Sequence, residues 1–465
     1  MGCLFRGDSK MKKSSINLKL KVKNLGLIFI IFYILPVTLP VLSGIEGLLV
    51  TYLYSETLNL EQCLGIALKE NPQMKIAEQN RISAKAKRAE AFSGYLPNVS
   101  GSFSYLKKNE VEGLDALGSL TSVSPSFRLS FADEIYDSKL SLTQPIFMWG
   151  KIYQSNRQAK LNYKYYEEDY IKTRRNIVYS VKNAFYNFIL AKQMVSIAKE
   201  ASDVNEYHLK SVERFYQEGK ASSYDVSRAK VLVANSKTNF IRSNNGLELS
   251  RETLINVLNI KNKDIEFTGE LEYVPEEKDL EDLIMKAMEN RSEIKQILLQ
   301  EDISKSLVKL ASTGNKPNIL LTGTAEWQNT AFETTDWYNT WMALAVLNIP
   351  IFDGFSTYNR TKQAKANLNQ IIANKELLEE GVKFEVRAAY LNFKQAKDSI
   401  EANKENVKAA KENLTTAQKR FNLGLMSDLE VRDAQLDLTQ AETNYVQALY
   451  DYNIAIASLD KAVGK

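Results

Sequence analysis

The stretch Leu142–Gly150, LTQPIFMWG, and the stretch Leu347–Phe355, LNIPIFDGF, share a Pro-Ile-Phe core 205 residues apart. Each follows a run that alternates apolar and polar residues, and each opens a long segment of helix-forming composition. Shifting the chain against itself by 205 extends the match far beyond the shared core. Gln158-Ala159-Lys160 falls on Gln363-Ala364-Lys365, and VKNAFYNFILAK from Val181 falls on VRAAYLNFKQAK from Val386. Gly219, Asp225, Val226 and Ala229 fall on Gly424, Glu430, Val431 and Ala434. No gap is needed from Pro145 to about Ile260, so the chain carries a duplication.

Upstream the best shift becomes 220, which lays LEQCLGIAL from Leu60 on LEDLIMKAM from Leu280, and GYLPN from Gly94 on GNKPN from Gly314. The 15-residue difference is absorbed between Pro97 and Pro145, where GLDALGSLTSVSPS is rich in loop formers. A variable loop at the end of a scaffold of fixed length is the expected arrangement.

Between the proline landmarks the pattern is that of strands. Val99, Phe103 and Tyr105 alternate with Ser100, Ser102 and Ser104, and Leu140 and Leu142 alternate with Ser141 and Thr143. In the second copy Ile319, Leu321 and Ala325 oppose Thr322 and Thr324; Leu320 breaks the pattern, and WMALAVLN from Trp341 alternates poorly. Each repeat predicts one two-stranded hairpin with strands of about ten residues, long enough to cross a bilayer when tilted. Such a hairpin either docks on a soluble helical body or lies in lipid. Four strands cannot close a barrel and an open edge cannot sit in lipid, so membrane strands would need several chains to share one barrel.

From Ile152 to about Glu218 nothing breaks a helix, on the order of 100 Å at 1.5 Å per residue. Val181, Ala184, Phe188, Ala191, Val195 and Ala198 recur at coiled-coil spacing, as do Val386, Ala389, Phe393, Ala396 and Ile400. The returning segments alternate small and large residues, from Ala434 and Leu438 to Ala455 and Leu459, a pattern of close helix packing. Gly219 and Gly424 are expected to end the outgoing helices in the left-handed conformation. Ser222 or Ser223, and Ser427 or Asp428, are available to cap the helices that follow.

The formal charge of +4 sits in a basic start that runs into the apolar LGLIFIIFYILPVTLPVLSG. This reads as a secretory signal cleaved between about Ser43 and Ser55, or as a retained membrane anchor. Cleavage after Ser43 removes seven cations and one acid and takes the net charge to −2, so nothing points to nucleic acid. Cys3 and Cys63 are the two cysteines, and no metal-ligand spacing, nucleophile motif or phosphate-cradling loop occurs. The one histidine, His208, reads as an exposed helix residue. These absences predict no enzyme, no metal and no cofactor. The expected organisation is a signal peptide and N-terminal segment over 1–55 and two repeats. The first covers 56–270, with its hairpin at 98–147 and helix pair at 152–260; the second covers 271–465, with its hairpin at 318–352 and helix pair at 355–463.

Over nearly the whole chain after the leader, these features resemble the TolC-like outer-membrane efflux proteins. The resemblance is carried by LNLEQCLGIALKENP, SGYLPNVSGSFSY, LTQPIFMWGK, LNIPIFDGF and the two turns in which an acid and a valine follow six and seven residues after a glycine. It implies a mainly α fold with a membrane β-barrel portion, in which a homotrimer builds a twelve-stranded barrel continuous with an α-helical coiled-coil tunnel. It implies an exit duct of a tripartite efflux, multidrug export or type I secretion system, set in outer-membrane lipid and extending into the periplasm. Partners would be a periplasmic adaptor (membrane fusion) protein and an inner-membrane transporter of RND, ABC or MFS type. The alternative is a membrane-anchored or periplasmic coiled-coil scaffold without channel activity.

By the same resemblance, Asp225, Glu430 and Asp433 form the periplasmic gate of the pore. Gly219, Lys220, Ala221 and Ser222, with Gly424, Leu425, Met426 and Ser427, contact the adaptor. Pro97, Pro145, Phe147, Pro317, Pro350 and Phe352 mark the junction of barrel and helices. Glu430 and Asp433 share a helix face. Around a threefold axis they would gather six carboxylates, a field that favours cations and raises some pKa values. The plainer reading is that they are solvated acids in a helix's first turn. The chain departs from the family at Met426 and Phe421, where a basic residue and a tyrosine help lock the closed state. It departs again at Met148, which stands where Asp353 stands in the second copy.

Overall fold

The computed structural model describes residues 57–107, 134–261, 265–329 and 337–465. The expected leader with Cys3, and the loop GLDALGSLTSVSPS, lie outside the described residues.

The first copy runs β1 (Thr57–Leu58), α1 (Leu60–Glu70), α2 (Pro72–Ser93), β2 (Asn98–Lys107), β3 (Glu134–Phe147), α3 (Lys151–Gln217) and α4 (Ser223–Leu258). β4 (Glu266–Phe267) closes the first copy, and the second runs α5 (Leu280–Asn290), α6 (Ser292–Ala311), β5 (Asn318–Asn329), β6 (Tyr338–Asn348), α7 (Ser356–Asn422) and α8 (Asp428–Val463). Both outgoing helices have 67 residues and both returning helices 36, so one shift carries every boundary of one pair onto the other. Local chemistry sets the ends of the short helices. Asn59 and Gln62 form a capping box at α1, and Asn71 caps α2 with Pro72 in its first turn. The short parallel pair β1–β4, which fastens the start of the first copy to its own end, had no signal in the pattern.

The seam residues pack as their spacing requires. Val181, Ala184 and Phe188 are buried in the main core with Val386, Ala389, Phe393, Ala396 and Ile400. Further along α3, Ala191, Val195 and Ala198 remain half-buried, so the first seam is covered less completely than the second. Phe188 meets Phe267 edge-on at 5.4 Å, and the Tyr452 hydroxyl donates to the Val274 carbonyl. Gly269 comes so close to Phe185 that an added Cβ would sit 2.8 Å from its ring.

The four long strands form one antiparallel sheet in the order β2-β3-β5-β6, so the two hairpins join across β3 and β5. Residues directly opposite in such a ladder share a face, and the register sorts most of them by polarity. One face collects Val99 opposite Leu142, Leu140 opposite Ala325, Leu321 opposite Ala345 and Ile319 opposite Leu347. The other collects Ser100 opposite Ser141, Thr143 opposite Thr322, and Lys139 opposite Glu326. Pairing also decides the ambiguous β6. Trp341, Ala343, Ala345 and Leu347 join the apolar face, while Met342 and Leu344 join the polar one opposite Thr324 and Thr322. Among the described residues, β2 and β6 each keep one edge unpaired.

Candidate functional site: helix tips and strand–helix junctions

At the far ends of the helix pairs the two copies build the same turn twice. Gly219 and Gly424 both have φ of 73°, a conformation that costs an L side chain and suits glycine. Past each glycine one amide reaches back to close the helix: Lys220 N donates to Phe215 O at 2.8 Å, and Leu425 N to Arg420 O at 2.9 Å. Ser222 and Ser427 then cap the returning helices. The Ser222 amide donates to the Asp225 carboxylate and the Ser427 amide to the Glu430 carboxylate, each at 2.9 Å.

Asp225 and Glu430, expected as pore acids, are therefore also the third residues of two capping boxes. Hydrogen bonds from the Ser222 hydroxyl and amide hold the Asp225 carboxyl below its usual range; the Ser427 amide and hydroxyl do the same for Glu430. Asp433 is exposed on the next turn, where its carboxylate accepts from Arg432 at 3.3 Å.

The two tips are tied together within the chain. His208 on α3 is hydrogen-bonded to Asp428 at the start of α8, and the side chains are 12% and 16% exposed. The expectation of an exposed His208 is thus wrong. Its ring lies 5.3 Å from Phe421 on α7, which in turn packs edge-on against Phe215 at 5.5 Å. Phe421 thereby gives the second tip an apolar contact with the first. A crevice of about 500 Å³ between the turns is lined by Lys220, Ala221, Asp225, Gly424, Met426, Ser427 and Asp428, among others. Of the remaining tip residues, Gly219, Ser222 and Leu425 lie in the exposed turns, with Leu425 74% exposed.

At the opposite end, Pro97 and Pro317 immediately precede β2 and β5. The chain then passes from strand to outgoing helix through two successive left-handed residues, Trp149 and Gly150 in one copy, Gly354 and Phe355 in the other. The Pro-Ile-Phe phrases are used differently on the way. β3 continues through Pro145 and a bulge to Phe147, whereas β6 stops at Asn348 and leaves Pro350 and Phe352 in the connection. Phe147 packs edge-on against Trp149 at 5.3 Å and Phe352 against Phe355 at 5.5 Å. Trp149, Phe352 and Phe355 are exposed. Neither N-cap residue, Gly150 or Phe355, caps its helix with a side chain, but Asp353 accepts from the Thr357 amide in the first turn of α7 at 2.8 Å, and Met148 stands at the equivalent place before α3.

An amphipathic four-strand sheet carried on paired 67-residue helices is an architecture with known relatives. The TolC outer-membrane protein of Vibrio cholerae is 21% identical over 91% of this chain and 94% of its own length. That of Escherichia coli is 21% identical over 93% of this chain and 86% of its own. The crystal structure of the CmeC outer-membrane channel of Campylobacter jejuni superposes with a TM-score of 0.75 at 21% identity, covering 87% of this chain and 85% of that one. The family model for outer membrane efflux proteins matches residues 63–259 and 283–465, nearly the whole of both repeats. The chain belongs to the outer membrane efflux protein family.

Proposed function

We propose that this outer-membrane efflux protein works as a homotrimeric, passive exit duct, with four strands from each copy closing a twelve-stranded barrel. The observation that carries this is the sheet itself. It has an apolar face, a polar face and two unpaired edges, and an edge in lipid must find a partner strand. The fitting partners are β6 and β2 of neighbouring copies. The apolar face then meets lipid and the polar face, with Ser100, Thr322 and Glu326, lines the channel. The exposed stripe Leu377, Phe384 and Leu391 on α7 supports further contact between copies along the helices.

In this reading the turns Gly219–Ser222 and Gly424–Ser427 meet a periplasmic adaptor, which links the duct to an inner-membrane transporter of RND, ABC or MFS type. Asp225, Glu430 and Asp433 ring the periplasmic entrance, and the proline and phenylalanine junctions mark the hand-over from barrel to helices. The chain performs no chemistry on its cargo. The test is conductance across planar bilayers. Wild-type channels should pass current and prefer cations, and a Glu430→Ala, Asp433→Ala variant should lose that preference while still conducting. Unchanged selectivity would remove these two acids from the entrance; a protein that never conducts would be a scaffold and not a duct.

A further inference from the structure

We propose that the cavity at the foot of the sheet is a binding site, inside the duct, for amphipathic organic anions passing outward. The proposal rests on the duct reading above. The cavity has a volume of about 430 Å³. Three cations line it: Lys151 at the start of α3, Lys316 just before β5, and Arg360 near the start of α7. No carboxylate lines it, and none of the three cations is held by an ion pair among the described residues. Asp353, which accepts from the Thr357 amide, lies outside the lining and offsets part of Arg360's charge, so the three cations still leave the site net positive. Met148, Leu307 and Leu310 add apolar surface to the lining.

Two features of this chain sharpen the charge. Met148 occupies the place that Asp353 fills in the second copy, so the foot of α3 lacks the acid that accepts from a first-turn amide of α7. Gly150 offers α3 no side-chain cap either, and the first amides of the helix add their positive end to that of Lys151. Position assigns the site to the channel interior. Asn318 also lines the cavity, and along β5 it falls on the same face as Thr322, Thr324 and Glu326, the polar face of the sheet. Ser304, Leu307 and Ala311 of α6, at helical spacing, present one face of that helix to the same space.

In a trimer the site repeats around the axis, placing a cationic collar below the barrel, at the other end of the tunnel from Glu430 and Asp433. A cargo with a sulfonate, carboxylate or phosphate head and an apolar body satisfies the cations and the apolar surface at once. An inorganic anion satisfies only the cations.

The experiment is current block in planar bilayers, with naphthalene-2-sulfonate, inorganic sulfate and 2-naphthylmethylammonium added in turn from the barrel side. Naphthalene-2-sulfonate should block at concentrations where neither of the others does. A Lys316→Gln, Arg360→Gln variant of normal conductance should need at least about tenfold more of it. Leu307→Asn, which keeps all three cations, should weaken block by naphthalene-2-sulfonate and leave the effect of sulfate unchanged. Block that is equal in the wild type and both variants, or equal for sulfate and naphthalene-2-sulfonate, overturns the proposal and leaves the duct standing. Absence of any conductance in the wild type overturns the duct reading, and this site with it.

Discussion

Removing His208 should loosen the periplasmic tips without touching the barrel. His208 and Asp428 are mostly buried against each other, so His208→Ala leaves the Asp428 carboxylate desolvated and short of a partner. Leaving such a group unsatisfied costs about 1–3 kcal/mol, a factor of about 5 to 150 in the equilibrium between joined and separated tips. The ring also packs on Phe421, so the loss includes an aromatic contact that Asp428→Asn would spare. The asparagine variant, which can still hydrogen-bond His208, should therefore fall short of the alanine one. The direct assay is hydrogen exchange at the amides that close the turns, Lys220 N to Phe215 O and Leu425 N to Arg420 O. Both should exchange faster in His208→Ala by that factor, while sheet amides keep their rates. In a double-mutant cycle with Asp428→Ala the two losses should not add, because either change breaks the same contact. Turn amides that exchange at the wild-type rate in His208→Ala, or losses that add fully in the cycle, would refute the tie between the tips.

Three other outcomes test the packing. Gly269→Ala should destabilise the fold by about 1–3 kcal/mol, since its Cβ would meet the Phe185 ring at 2.8 Å, and thermal unfolding measures this. Burial, with Glu200 nearby, pushes the Glu442 carboxyl above its ordinary range, so its charged form is disfavoured in the fold. That group favours the fold below its unfolded pKa and loses this contribution as pH rises through the raised value. Glu442→Gln should therefore slow local exchange about two- to fivefold near neutral pH, with the difference vanishing as the pH falls and the wild-type acid takes up its proton. Burial also pushes the Cys63 thiol up to about 12, so maleimide should label it only after denaturation, as mass spectrometry can follow.

The helical framework was open to reading because repetition carries its own check. Two copies aligned without a gap had to share helix limits, and glycine with a downstream serine and acid marked both turns. The strands were half legible. Serines between Val99, Phe103 and Tyr105 declare a two-faced β2, but in β6 alanines sit on the apolar face and Met342 and Leu344 on the polar one, so hydropathy loses its period. Only pairing with β5 restores it. The tie between His208 and Asp428 left no local trace, since the partners lie 220 residues apart and neither breaks the surrounding helical pattern. The capping role of Glu430 was visible in principle, as Ser427 and Glu430 have the spacing of a capping box.

The matched helix lengths restrict how such a protein can change over generations. One extra helical turn in a single pair would move its tip by about 5.4 Å relative to the other. That step would pull Phe421 and Asp428 away from Phe215 and His208 and leave the two tips staggered. A lengthened or shortened tunnel is therefore reached by paired insertions or deletions, one in each repeat, and a solitary one is expected to be lost.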